Sequence, residues 1–366
     1  MTAAGSLLRG ANLVVKRDGI LVLDIPDFTL EKGEVLSLIG PNGSGKSTLL
    51  LTLSSLLKLY QGKLIFNGQE IDSRRSELEY RRKIAVVFQD PLLFDSTVLD
   101  NVSSGLKIRG MDKTARDRIA GECLDRMGIA HLARRSASKL SGGEAKRTSI
   151  ARAFATRPTI LFLDEPFSAL DPPTREGLIS DLNRLLRETD TTAVMATHDE
   201  MEALRLSDRI AVIQQGKIAQ TGSAEEVMNH PVNEFVASFV GMDTVLIGNV
   251  RESSGDGRMM ITIGNREVEA VGDFLPGERV LCCIRPENVT LSTDSPDEQS
   301  SARNSFPGRI KRISPHGLFY RIDLDCGFEL ISYITRTSLD LLELREGQTV
   351  KASFKATAVH VLRKSS

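Results

Sequence analysis

The sequence predicts an α/β domain with a mostly parallel sheet and a helical insertion, followed by an all-β, OB-like region. Three observations point this way. Up to about residue 240, short apolar runs alternate with helical patterns, the rhythm of strands buried on both faces and covered by helices. Between Pro91 and Ser141 the pattern turns helical and charged ("GMDKTARDRIAGECLDRMGI"). After "NEFVASFVG", strand-like alternation with glycine-containing turns takes over.

Taken in order, "EVLSLIG" reads as a buried strand entering a glycine-rich turn, and "KSTLLLTLSSLLK" as a helix packed on the sheet. "KIAVVF", "TILFLD" and "TAVMAT" are the continuous apolar runs expected of parallel strands. "RMMITIGNREVEAV" and "GRIKRISPHGLFYRIDLDCGFELISYI" are alternating strands of a small barrel or sandwich. Composition shifts place boundaries near Gly241 and Ser300. They give a domain at 1–240 (helical part about 91–155), a β-rich segment at 241–298 and a terminal β module at 299–366.

A chain of 366 residues exceeds one ordinary core. Its net charge of -1 argues against nucleic acid, which needs a basic face. The longest apolar runs, such as Ile160–Leu163, fall far short of the ~20 residues that cross a bilayer. The N-terminus lacks the pattern of a signal peptide. Cys123, Cys282, Cys283 and Cys326 show no CxxC spacing and are expected to be isolated thiols. Together these predict a cytoplasmic compartment.

"GPNGSGKST" fits G-x-x-x-x-G-K-[ST] at Gly40, Gly45, Lys46 and Ser47. The chemistry demands these types. Glycines let the backbone N–H groups from Gly40 through Asn42, Gly43, Ser44 and Gly45 to Thr48 turn inward around a phosphate, with a helix N-terminus behind. Lys46 reaches the outer phosphates and the Ser47 hydroxyl serves Mg²⁺. By residue usage the pattern arises by chance on the order of one time in a hundred in a chain this long. Here it also lies between a predicted strand and a helix, which predicts a P-loop NTPase domain.

Further stretches follow in a fixed order. "FQD" carries Gln89, "LSGGE" spans Leu140–Glu144, "ILFLDEP" ends with Asp164 and Glu165 in series, "SALD" reaches Asp171, and "ATHDE" holds His198. In this order they resemble the ATP-binding subunit of an ABC transporter over residues 1–240. The resemblance implies that Ser47, Gln89 and Asp164 hold Mg²⁺ and that Glu165 polarises the attacking water as general base. It implies that Gln89 and His198 read the γ-phosphate. Ser141, Gly142, Gly143 and Glu144, with Asp171 nearby, would face the ATP of a second subunit, making a homodimer with two composite sites. Glu144 stands where the family most often has Gln. The family's adenine-stacking aromatic falls on Arg17, whose guanidinium can also stack on a base.

"THDEMEALRLSDRIAVIQQGKIAQTGSAEEVMNHPVNEFVASFVG" and "CIRPENV" resemble the corresponding segments of bacterial importers for sugars and oxyanions. That implies two copies of a membrane permease, an extracytoplasmic oxyanion-binding protein, and a place on the cytoplasmic face of the membrane. Residues 299–363 resemble the molbindin fold through "SARN", "ITRTS" (Ile334–Ser338) and "KATAVHVL". The implied pocket for tungstate or molybdate draws on Ser301, Ala302, Arg303 and Asn304 at one end and Lys355, Ala356, Thr357 and Ala358 at the other. Hydroxyls, backbone N–H groups and cations suit a tetrahedral dianion. An importer of another solute, such as sulfate or sugar, with a purely structural terminal module is the first rival. A non-enzymatic oxyanion store or sensor is the second, and an intact set of Lys46, Asp164, Glu165 and His198 argues against it.

Overall fold

The computed structural model describes residues 6–293 and 301–364. It divides into two compact units, 1–224 and 225–366.

In the first unit, the apolar runs become a six-stranded sheet. Its order is Lys217–Ser223, Arg209–Gln214, Val35–Ile39, Thr192–Thr197, Ile160–Asp164, Ile84–Val87. All neighbours pair in parallel except the antiparallel edge hairpin of the first two. Every residue of Val35–Ile39 and Thr192–Thr197 is buried, as a strand covered on both faces requires. A second, antiparallel sheet of Ile20–Glu31, Ser6–Arg17, Gln61–Phe66 and Gln69–Glu70 shares a core with one face of the first, including Leu13, Ile25, Leu38, Leu50 and Phe162.

The expected helical insertion is present as Val98–Ile108, Lys113–Arg126 and Gly142–Ala155, packed through Val102, Leu106, Leu124 and Ile150. The helix expected from Lys46 to Lys58 stops at Leu53, because Ser55 takes a left-handed conformation (φ 55°).

The second unit differs from the expected division. The boundary near 240 falls at 224/225, and residues 241–298 and 299–366 are not separate bodies. The terminal strand Val359–Arg363 pairs with Arg279–Ile284 and completes one five-stranded antiparallel sheet with Thr244–Ser253, Arg258–Ile263 and Arg266–Val271. Thr290–Ser292 in turn joins the other sheet, beside Thr349–Phe354, Asn304–His316, Phe319–Asp325 and Glu329–Thr335. One core, with Ile261, Val280, Ile322, Leu330 and Phe354, spans both sheets. Exchanged strands bury more apolar surface than either half could alone. Composition cannot show which edges will pair.

Candidate functional site

The turn after Val35–Ile39 demands glycine. Gly40, Gly43 and Gly45 have φ of 151°, 78° and 110°, and a Cβ on Gly40 would lie 2.3 Å from the Ile213 carbonyl oxygen. Gly45 opens the helix Lys46–Leu53, which has no side-chain cap, so its first N–H groups face the loop. The buried Lys46 Nζ donates to the carbonyls of Gly40 (2.8 Å) and Pro41 (3.1 Å). The Ser44 hydroxyl is buried and has no hydrogen-bond partner among the described residues. A ring of backbone donors, a buried cation and a spare hydroxyl fit a phosphate chain.

Four of the expected site residues meet at the strand ends. Ser47 Oγ donates to Asp164 Oδ1 at 2.8 Å, and His198 Nδ1 lies 3.3 Å from Glu165 Oε1. Glu165 sits in the left-handed region (φ 44°), which turns its side chain out of the strand; its N–H bonds the Ala196 carbonyl at 2.9 Å. Burial pushes the Asp164 carboxyl above its usual range; the Ser47 hydrogen bond opposes this and the Glu165 charge adds to it. Burial likewise lowers the Lys46 ammonium, against the pull of Glu165 and Asp164. A hydroxyl and a carboxylate 2.8 Å apart are an oxygen donor pair that fits Mg²⁺, whose charge would offset the cost of ionising Asp164.

Other expected residues stand apart. Gln89 is exposed beyond Ile84–Val87 and makes no hydrogen bond to Ser47 or Asp164 among the described residues. Its loop is held elsewhere, by Arg152 donating to the carbonyls of Pro91 (2.9 Å) and Leu92 (3.0 Å). Arg17 is exposed at the tip of the hairpin turned by Asp18 and Gly19. No aromatic is near it in sequence, yet the fold brings Tyr60 to the adjacent Lys16, whose Nζ lies 4.0 Å from the ring centroid.

The "LSGGE" segment caps the helix Gly142–Ala155. Ser141 N–H and Oγ donate to Glu144 Oε2 at 2.7 and 3.0 Å, and Glu144 N–H returns to Ser141 Oγ at 3.4 Å. Glu144, expected as a nucleotide contact, has its carboxylate engaged in this capping box while lining the same cavity as Ser141, and Ser141's hydrogen bonds hold it below the usual range. Asp171 caps the helix Pro172–Thr189 in the same way, through Thr174 N–H at 3.2 Å. Gly143 packs so closely that a Cβ there would meet Thr174 Cγ2 at 2.6 Å. Ser141, Gly142, Gly143 and Asp171 line one cavity of about 550 Å³, and no residue of the phosphate loop lines it.

Sequence reasoning missed Gly216. It turns between Arg209–Gln214 and Lys217–Ser223 at φ 77°; its N–H donates to the Ser44 carbonyl (2.8 Å) and its carbonyl accepts from Asp24 N–H (2.9 Å). A Cβ there would lie 2.2 Å from the Val22 carbonyl oxygen. The signal was available, a glycine in "IQQGKIA" between two strand-like runs.

In the second unit, Asn304 pairs with Phe354 across the ladder, which sets Arg303 and Lys355 at neighbouring strand ends, both exposed. Ser301 and Thr357 are also exposed; Ala302 and Ala358 are half-buried, and Ala358 closes a 3₁₀ turn that begins at the buried Ala356. Asn304, expected at the oxyanion site, has its amide committed to the backbone of Glu269. Its buried amide accepts from Glu269 N–H and donates to Glu269 carbonyl, both at 2.8 Å, satisfying the open edge of Arg266–Val271. "ITRTS" likewise forms a helix start, with Thr335 Oγ accepting from Ser338 N–H at 3.2 Å.

Comparison with known proteins adds to this geometry. The ABC transporter family matches residues 23–168, and the TOBE domain matches 300–361. The molybdate/tungstate import ATP-binding protein WtpC of Pyrococcus horikoshii is 35% identical over 339 residues, covering 91% of this chain and 94% of that protein. The chain belongs to the ATP-binding subunits of ABC transporters. Within that family it is also similar to the spermidine/putrescine import ATP-binding protein PotA of Trichodesmium erythraeum, 33% identical over 316 residues (83% and 81% covered). Among solved structures, cbiO1 from Clostridium perfringens aligns with TM-score 0.58 and 30% identity over 65% of this chain and 95% of that one. An ATP-binding cassette solved as a dimer bound to ADP and Pi aligns with TM-score 0.55 and 30% identity, over 59% and 98%. As an ABC subunit the chain is an ATPase. Among the described residues, no helix is long and apolar enough to cross a membrane.

Proposed function

We propose that the chain is the ATP-hydrolysing subunit of an importer for tungstate or molybdate. The observation that carries the solute class is the ladder pair Asn304–Phe354, which brings "SARN" and "KATA" together with two exposed cations and no Asp or Glu in either stretch. The similarity to WtpC along nearly the whole chain supports the same solutes.

In the first unit, the loop Gly40–Thr48 cradles the phosphates, Lys46 leaves its two carbonyls for them, and Glu165 orients the attacking water, with His198 beside it on the γ-phosphate side. Mg²⁺ would be held by Ser47 and Asp164, with Gln89 joining when its loop closes, and would neutralise the phosphate charge. The cavity shared by Ser141, Gly142, Gly143 and Asp171, remote from the phosphate loop, suits the ATP of a second copy, so the working form is a homodimer. Arg17 lies at the hairpin where adenine would stack. Two permease subunits would carry the solute, an extracytoplasmic protein would deliver it, and the ATPase would sit on the cytoplasmic face of the membrane. Oxyanion bound by Ser301, Ala302, Arg303, Lys355, Thr357 and Ala358 would lower ATPase activity, by the margin with which it prefers the inactive state.

The test is calorimetric titration of the purified chain with tungstate, molybdate and sulfate, repeated with Lys355→Ala. Binding of the first two ions, weakened in the variant, is expected. Silence from a verified dimer would leave the terminal unit structural and the solute open.

A further inference from the structure

Lys146 lies one turn into the helix Gly142–Ala155 and is buried, 8% exposed. A lone ammonium in such a place is costly unless it is paired and hydrogen-bonded. Its Nζ donates to Ser168 Oγ at 2.9 Å and to the Glu165 carbonyl at 3.3 Å, and Ser168 Oγ donates to the same carbonyl at 3.0 Å. Carboxylates of Asp90, Glu202 and Glu165 act on it from three other elements, opposing the lowering that burial imposes.

The turn it holds is strained. Glu165 and Ala169 are both non-glycine residues in the left-handed region (φ 44° and 57°), and such residues persist only where their surroundings over-determine them. The main-chain bonds of Glu165 N–H to Ala196 and Ser168 N–H to Glu165 supply part of that, and among the described residues Lys146 is the only side-chain cation that donates to the Glu165 carbonyl. The helix that carries Lys146 begins at Ser141, whose cavity lies away from the phosphate loop.

We infer that Lys146 is a positioning residue for hydrolysis: it ties the helix of the "LSGGE" motif to the strained turn that aims Glu165. Movement of that helix, driven by nucleotide at the partner's site, is thereby transmitted to the chain's own water-activating carboxylate. The inference rests on the reading of Glu165 as general base.

The test uses the full-length chain carrying Lys146→Met and Lys146→Gln. Turnover of Mg-ATP is measured alongside hydrogen exchange of the amides from Glu165 to Ala169 and from Gly40 to Thr48. For the Met variant the expectation is a fall in kcat of about tenfold or more with KM for ATP within about twofold. Exchange should accelerate at Glu165 and Ser168 while the phosphate loop is unchanged. Gln, which can still donate to Ser168 Oγ, should recover part of both effects. Wild-type kcat and exchange in the Met variant would overturn the tether. So would acceleration spread evenly over the domain, which is what lost packing alone produces. Should the Met variant not fold, the Gln variant decides by the same criteria. Glu165→Gln serves as control: full turnover there would remove the general-base reading, while the exchange measurement would still judge the tether.

Discussion

Nδ1 of His198 lies 3.3 Å from Oε1 of Glu165, so the histidine after one strand steadies the carboxylate after its neighbour. Glu165→Gln keeps the shape and removes the carboxylate charge proposed to activate water. We expect kcat to fall by about 10²–10⁴-fold with ATP binding retained. His198→Ala should fall less if its role is to orient and read phosphate. Steady-state ATPase assays beside fluorescent-nucleotide binding separate the two.

Asp164 gives a pH prediction. Its folded pKa is raised by burial above the usual 3.8, so its neutral form is favoured in the folded protein. The stability it contributes is fully present below that unfolded value and is lost as pH rises through the folded pKa. Asp164→Asn should therefore melt higher than the wild type at pH 7 without nucleotide, with the gap closing toward pH 4, while hydrolysis is abolished. Thermal melts at the two pH values are the check, and equal melting at pH 7 would contradict it.

Gly216→Ala should harm the phosphate loop from a distance. A Cβ would press on the Val22 carbonyl, at a φ of 77° that alone costs alanine about 1–3 kcal/mol. Since Gly216 also binds the Ser44 carbonyl, KM for ATP should rise along with the loss in melting temperature.

Asn304 and Lys355 should part company. Asn304→Ala strips partners from the N–H and carbonyl of Glu269, at about 1–3 kcal/mol for each group left buried and unpaired. Lys355→Ala, exposed and free of such duty, should leave denaturant midpoints unchanged and weaken only oxyanion binding. Urea titrations of both variants test this.

Much of the first unit was legible in the sequence. Parallel strands buried on both faces must read as unbroken apolar runs, and a phosphate loop must read as spaced glycines before Lys46. Some of what escaped notice depends on what a side chain does once the chain has folded. Glu144 and Asn304 belong to motifs that point to ligands, and the fold also has each of them close a backbone gap. Lys146 looks like any helix lysine until Ser168, over twenty residues away, arrives beside it. The division of the second unit was hidden because edge-strand pairing leaves no mark on composition.

That pairing bears on inheritance. Because Val359–Arg363 finishes the sheet begun by Thr244–Ser253, and Thr290–Ser292 lends an edge to the other, a recombination event that moved residues 300–361 alone would deliver two torn sheets. The stretch 300–361 therefore leans on strands outside it for both of its sheets, and the unit that closes them is the compact body 225–366.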